Sequence, residues 1–246
     1  MGRILLEVAV MSADEARVAE EAGADRLELC SALELGGVTP SLGSFLAVRE
    51  AVAIPVYVLL RPRAGGFVYT SREWESLKRD AEWFASHGAD GLVFGALTAD
   101  GCVDDSRCAE LLALSKGRAV FHRAFDFVPD RIAALEVSIE LGFERVLTSR
   151  GAATAIEGKG EIASLVRAAR GRIEILPGSG IRPQNVEQLL RETGCTQVHA
   201  SLRNTFEGAS GVLAQQMGRC STTDGSLVRA MRESLDRFSN AMLRTV

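Results

Sequence analysis

The chain has 246 residues, of which 47% are hydrophobic and 24% are charged, so it has enough apolar material for a full core. The net charge of −4 argues against a general nucleic-acid surface, because no excess of lysine and arginine exists to neutralise phosphates. The five cysteines include no Cys-x-x-Cys pair, which argues against a zinc knuckle or a disulfide framework.

The sequence contains no pattern typical of a signal peptide or a membrane span. The amino-terminal apolar run is too short for a signal peptide, and no segment reaches the roughly 18 apolar residues of a membrane span. We therefore expect a cytoplasmic protein with reduced thiols, and neither a membrane nor a nucleic acid as its partner.

Short β-rich runs alternate along the chain with longer segments of helical apolar spacing. Eight strands are predicted, near residues 3–8, 25–30, 54–60, 90–95, 118–122, 144–148, 172–177 and 196–200. Such alternation predicts a parallel sheet with crossover helices. A doubly wound open sheet is the second choice, but its Gly-x-Gly-x-x-Gly fingerprint is missing after the first strand.

No shift in composition marks a domain boundary, so the predicted fold is a single TIM (β/α)8 barrel over residues 1–246. Residues 207–224 have the composition of a loose loop or lid.

The predicted barrel lumen contains several charged residues. The lumen of a soluble barrel is usually apolar. Alternate strand residues face the lumen, which points Glu7 inward from the first strand and Glu28 and Cys30 inward from the second. Buried carboxylates require cations, a shared proton or a metal ion. The candidate cations are Arg61, Arg63 and Arg123. Ion pairs that only fill the barrel are the alternative to a functional site.

A histidine, an arginine and a carboxylate follow one another at the end of the fifth strand. Imidazole titrates near neutrality, and a neighbouring carboxylate can orient it for acid–base work. Active sites of this fold lie at the carboxyl ends of the strands. The candidate catalytic residues are Glu7, Glu28, Arg61, His122, Arg123 and Asp126.

The loops after strands seven and eight commonly bind phosphate in this fold. Strand seven runs into a glycine-rich turn ahead of a helix, which exposes backbone N–H groups, although such glycines also suit a plain tight turn. The candidate anion-binding residues are Thr148, Ser149, Gly178, Ser179, Gly180, His199 and Ser201.

These groups predict an isomerase, an epimerase or a lyase-like enzyme acting on a small anionic or phosphorylated metabolite. A barrel that serves as a partner-binding module, with its helices forming a homodimer, is a further possibility.

Taken in order, the motifs resemble those of the CutC family, which is named for copper homeostasis. The matching stretches are 23–30, 36–41, 54–56, 61–63, 65–69, 88–95, 121–126 and 145–149.

The resemblance implies a TIM barrel, a cytoplasmic location and a role in copper homeostasis, with Cu(I) bound by cysteines at the ends of the first two strands. Cys30 matches the second of these positions and is the candidate metal ligand. The first position, commonly the cysteine of Glu-x-Cys, is Ala9 here, and Arg150 stands where the family often has glycine. The expected cofactor is copper, and the expected partners are a copper ion or a small anionic metabolite and a further copy of the chain.

Overall fold

The protein is described by a computed structural model over residues 2–115, 117–206 and 220–243. Strands β1 to β8 span Leu5–Val10, Arg26–Leu29, Val56–Leu59, Gly91–Phe94, Ala119–Phe121, Arg145–Thr148, Glu174–Pro177 and Gln197–Ala200. Helices α1 to α8 span Ala13–Glu21, Leu42–Ala51, Ser71–Ser86, Asp105–Leu114, Arg131–Leu141, Lys159–Ala169, Val186–Thr193 and Gly225–Leu243. Short 3-10 helices cover Leu33–Leu35 and Arg123–Phe127.

The eight strands form one sheet in the order β7-β6-β5-β4-β3-β2-β1-β8, and every hydrogen-bonded pair in it is parallel. This arrangement confirms the predicted TIM barrel. Strands β7 and β8 lie side by side where the barrel closes, with no backbone ladder between these two described strands. The carboxylate of Glu174 bridges them instead, because it accepts hydrogen bonds from Thr196 Oγ1 and Gln197 Nε2, both at 3.2 Å.

The apolar side chains form two clusters on opposite faces of the sheet. The larger cluster lies between the strands and the surrounding helices. The smaller one fills the lumen and contains Cys30, Tyr57, Leu59, Val93, Val120, Leu147 and Leu176. Because helices cover the outer face of the sheet, the strand residues on that face are apolar, whereas the lumen face also carries charged residues, among them Glu7, Arg26 and Glu28. Leu59 and Leu147 of this lumen cluster also line the cavity at the carboxyl ends of the strands.

A two-stranded antiparallel ribbon follows the barrel strands. It consists of β9 (Arg203–Phe206) and β10 (Cys220–Thr223). The loose loop predicted for 207–224 is therefore wrong over β10, and its residues 207–219 lie outside the described residues. Arg203 anchors the ribbon to α1 by donating to both carboxylate oxygens of Glu15, at 2.6 and 2.7 Å. None of the helices described is both long and apolar enough to cross a membrane.

Candidate functional site

The carboxyl ends of the strands surround a cavity of about 430 Å³. Ligand pockets range from about 300 to 1,000 Å³, so this cavity has the size for a small molecule. The sequence-predicted site residues that line it are Glu28, Arg61, His122, Arg123, Ser179, Gly180, His199 and Ser201. The other predicted residues are not part of this lining: Glu7, Cys30, Asp126, Thr148, Ser149 and Gly178.

Glu7 lies at the centre of a buried ion-pair network. The β1 residue pairs in register with Arg26 on β2 and with His199 on β8. Its carboxylate forms a salt bridge with the Arg26 guanidinium and a 2.8 Å hydrogen bond with His199 Nδ1. Burial raises the pKa of Glu7, but the charge of Arg26 and the contact with His199 outweigh it and hold that pKa well below its usual range.

The prediction that Arg61, Arg63 or Arg123 pairs with Glu7 is wrong. Arg63 pairs with Glu73 at 2.5 Å, and Arg123 pairs with Asp126 at 2.8 Å. The partner is Arg26, because it is directly opposite Glu7 in the parallel ladder. Alternation points to this arginine, since it is two residues before Glu28 on the same strand.

Glu28 is buried and lines the cavity, and its Oε2 atom has no hydrogen-bond partner in the described parts of the chain. Burial raises the pKa of this carboxyl to about 7, with the nearby charge of Glu7 adding to the effect and that of His199 opposing it. The two carboxylates raise the pKa of His199 in turn, against the opposite effect of its burial. The Glu28 carboxyl therefore gains or loses its proton near neutral pH.

Glu7, Glu28 and His199 also form a candidate metal-binding cluster. Each offers one ligand atom, and these atoms lie within 4.8 Å of one another. Oxygen and imidazole ligands suit harder or borderline ions better than Cu(I). Arg26 and His199 already engage Glu7, so a cation bound here has to displace one of these contacts.

His122 lines the cavity with a buried imidazole. Its Nδ1 atom accepts a hydrogen bond from the backbone N–H of Ala124 at 3.3 Å, whereas Nε2 has no partner among the residues described. Burial, and then the charge of Arg61, lower the pKa of His122 to about 3. The imidazole is therefore neutral, and its proton resides on Nε2. Gly95 makes room for the ring, since a Cβ there would lie 2.8 Å from Nδ1.

Arg61 carries a charge that no carboxylate of the described residues pairs with directly. Its terminal nitrogens donate to three backbone carbonyl groups of neighbouring loops at 2.8 to 2.9 Å, while Nε is buried without a partner. The guanidinium lies 5.1 Å from the centre of the Phe67 ring. That ring also contacts His122, with 4.9 Å between ring centres. Arg61 and His122 thus flank one aromatic side chain on the same wall.

Asp126 holds a second polar network, which faces away from the cavity. Its carboxylate accepts a hydrogen bond from Thr148 Oγ1 at 2.5 Å, from the Ser149 N–H at 3.1 Å and from Arg123 Nε at 2.8 Å. Burial raises the pKa of Asp126, but these donors outweigh it and lower the pKa. The hydroxyls of Thr148 and Ser149, expected at an anion, are directed at this carboxylate.

The turn after β7 uses much of its hydrogen-bonding capacity within the protein. Ser179 has a positive φ of 80°, and its hydroxyl donates to the Ala153 carbonyl at 2.8 Å. Asn185 donates to the Gly180 carbonyl at 2.9 Å. Gly178 is needed for packing, because a Cβ there would lie 2.6 Å from Leu147.

Cys30 directly follows β2, at the carboxyl ends of the strands, and belongs to the lumen cluster. Its Sγ is 3.8 Å from the Val10 carbonyl, and burial raises the pKa of the thiol well above its ordinary value. Met11, which is not among the predicted site residues, packs against the same cluster. Continuing the alternation of Glu7 and Ala9 by one more step identifies this thioether.

Comparison with known proteins supports the resemblance found in the motifs. The model of the CutC family matches residues 4–204. The human copper homeostasis protein cutC homolog is 50% identical over 202 residues, which cover 82% of this chain and 74% of that protein. A family protein CutC of Treponema denticola is 48% identical over 209 residues, which cover 84% of this chain and 85% of the relative.

Solved structures give the same result. The putative copper homeostasis protein CutC from Streptococcus agalactiae superposes with a TM-score of 0.76 at 34% identity, covering 80% of this chain and 98% of that one. An aldolase at 17% identity, with a TM-score of 0.57 and coverage of 81% and 90%, shares the fold alone. The family model and relatives near 50% identity each match more than two thirds of this chain. The chain therefore belongs to the CutC family.

Proposed function

We propose that the protein acts in copper homeostasis and binds Cu(I) at the base of the barrel mouth, with the Cys30 thiolate as its principal ligand. The family and the name of the human relative support the role in copper homeostasis. The observation that carries the metal site is the presence of two sulfur-bearing side chains, Cys30 and Met11, at one cluster in the lumen. Thiolate and thioether sulfur are the ligands that select Cu(I).

Met11 supplies the second soft ligand, because Ala9 has no donor atom. Ala9 lines the cavity with a methyl group, which has no donor atom. Met11 is half-buried just beyond the end of β1, where Leu33 N–H contacts its Sδ at 3.5 Å. A flexible thioether adapts readily to its surroundings, so we expect it to turn towards an ion bound at Cys30.

The protonation of Cys30 sets the pH dependence of this site. Burial, and then the negative charge of Glu28, raise the pKa of the thiol. Cu(I) binds the thiolate, so binding must release the thiol proton. We therefore expect Cu(I) affinity to increase as the pH rises.

Anaerobic titration of Cu(I) against a chromogenic chelator tests the proposal. We expect about one Cu(I) per chain in competition with the chelator, loss of this binding in Cys30→Ala, and binding at least tenfold weaker in Met11→Leu. Cys102→Ala is the matched control, because Cys102 is an exposed thiol. The copper site is refuted if Cys30→Ala competes as well as the unaltered chain, or if Cys102→Ala loses as much binding.

We also propose that the protein is cytoplasmic and that it forms a homodimer. Free thiols at Cys30, Cys102, Cys108 and Cys195 support a reducing compartment. Cell fractionation tests the location, and light scattering of the purified chain tests the homodimer.

The alternative of an enzyme for phosphorylated metabolites receives less support from the geometry. The hydroxyls of Thr148 and Ser149 contact Asp126, and that of Ser179 contacts a backbone carbonyl. These contacts leave few side-chain donors for a phosphate group.

A further inference from the structure

Three polar atoms around the cavity are buried without a hydrogen-bond partner in the described residues: Glu28 Oε2, Arg61 Nε and His122 Nε2. Their side chains belong to residues that are 5%, 7% and 4% exposed, and all three residues line the same cavity. Buried polar groups nearly always have partners, because an unpaired one loses its hydrogen bonds to water without replacement. Copper bound to sulfur uses none of the three.

One wall of the cavity offers hydrogen-bond donors and a positive charge. His122 is a neutral imidazole whose proton resides on the unpaired Nε2 atom. Arg61 adds an unpaired N–H and the full charge of its guanidinium. Because Phe67 contacts both side chains, the two donors flank one aromatic ring. Two N–H groups and a positive charge suit a carboxylate, which accepts on both oxygens.

Glu28 offers a hydrogen-bonding oxygen of the opposite kind. It comes from β2 and lines the cavity with one unpaired carboxyl oxygen. A hydroxyl group can donate to a carboxylate or accept from a carboxylic acid, so it satisfies Glu28 in either protonation state. A second carboxylate in the same place would face Glu28 and, behind it, Glu7, and would be repelled.

The cavity also has apolar wall residues beside the polar ones Arg123, Arg182, His199, Ser179 and Ser201, and its space is limited. Leu59, Phe67 and Leu147 contribute to the wall of a cavity of about 430 Å³. This volume is near the lower end of the roughly 300 to 1,000 Å³ found for ligand sites. The occupant is therefore a small molecule with an anionic end and a hydroxyl-bearing end.

We propose that the cavity binds a small hydroxycarboxylate, whose carboxylate contacts His122 and Arg61 and whose hydroxyl forms a hydrogen bond with Glu28. This site goes beyond the role in copper homeostasis and is independent of Cys30 and Met11. A bound hydroxycarboxylate supplies hydrogen-bond partners for Glu28, Arg61 and His122, which neither the fold nor the sulfur site provides.

Matched small molecules test the proposed chemistry. Binding of glycerate, propionate, glycerol and inorganic phosphate is measured by saturation-transfer NMR on the full chain. We expect saturable binding of glycerate, and binding at least tenfold weaker for propionate, which lacks the hydroxyls, and for glycerol, which lacks the carboxylate. The proposal is overturned if glycerate shows no saturation up to about 20 mM, if either analogue binds equally well, or if phosphate binds more tightly.

Two substitutions at one residue separate ligand contact from folding. In His122→Asn the amide oxygen can replace Nδ1 as the acceptor for the Ala124 N–H, but nothing replaces Nε2. In His122→Gln the amide N–H₂ can reach the position of Nε2. We expect glycerate binding to fall at least tenfold in the asparagine variant and less in the glutamine variant. The exposed His87 provides the control, His87→Gln, with unchanged binding.

Melting curves show whether each variant is folded, and Cu(I) titration of the same samples keeps the two proposals apart. Unchanged glycerate binding in folded His122→Asn overturns the hydroxycarboxylate site, whatever the copper result. Loss of Cu(I) binding in Cys30→Ala with glycerate binding retained supports two independent sites.

Discussion

Replacing Glu7 with glutamine tests how much the buried ion pair contributes to stability. The side chains of Glu7 and Arg26 are only 1% and 8% exposed. The substitution keeps the shape of the side chain but leaves the Arg26 charge without its counterion. Breaking a buried pair in this way costs about 3–5 kcal/mol. For a domain of 150–250 residues each kcal/mol lowers the Tm by about 2–4 °C, so we expect Glu7→Gln to lower it by about 6–20 °C.

Thermal unfolding at pH 7, followed by circular dichroism, measures this loss. The control is Glu136→Gln, which breaks a 2.7 Å pair with Arg172 in which both side chains are 42% exposed. Exposed pairs contribute little to stability, so its Tm should stay close to that of the unaltered chain. The double variant Glu7→Gln with Arg26→Met should recover part of the loss, because it removes the uncompensated charge. Equal Tm changes in Glu7→Gln and Glu136→Gln would refute the reasoning.

Two further predictions concern the cavity wall. Since burial raises the pKa of Glu28 from 4.5 to about 7, the unaltered chain loses stability as the pH rises between these values. Glu28→Gln lacks this titration. Relative to the unaltered chain, the substitution should therefore be more stabilising at pH 8 than at pH 4.5, by roughly 1.4 kcal/mol per unit of pKa shift. Urea unfolding at both pH values measures the difference, and equal effects at the two values contradict the prediction. Gly95→Ala should lower the Tm, since the new Cβ lies 2.8 Å from Nδ1 of His122, whereas Gly88→Ala, at a helix end with open space, tests the cost of positive φ alone. An unchanged Tm in Gly95→Ala would show that the ring is free to move aside.

The inward-facing residues could be predicted from the sequence because strand alternation has a fixed period. That period placed Glu7 and Glu28 inside the barrel, where both are buried. It does not specify which residues are opposite one another on neighbouring strands. The register that pairs Glu7 with Arg26 and His199 arises from the stagger of the closed barrel, which a single strand does not encode.

Loop side chains were harder to predict, because no period governs their direction. Thr148 ends β6 and Ser149 follows it as expected, yet the hydroxyls of both contact Asp126 of the neighbouring loop. Arg150 adopts a φ of 64°, in the left-handed region that glycine enters without cost. Its backbone N–H donates to Thr148 Oγ1 at 2.7 Å, so the turn keeps a glycine-like conformation around an arginine.

The seam between β7 and β8 makes one side of the barrel easier to open than the others. Backbone groups that face each other there lack the ladder that joins every other neighbouring pair of these eight strands. Local opening therefore costs least along this line, and its amide hydrogens should exchange with solvent sooner than those of β1 to β6. Gly180 and His199, one on each side of the seam, also line the cavity. A molecule in the cavity that contacts both residues is therefore expected to slow amide exchange at the seam.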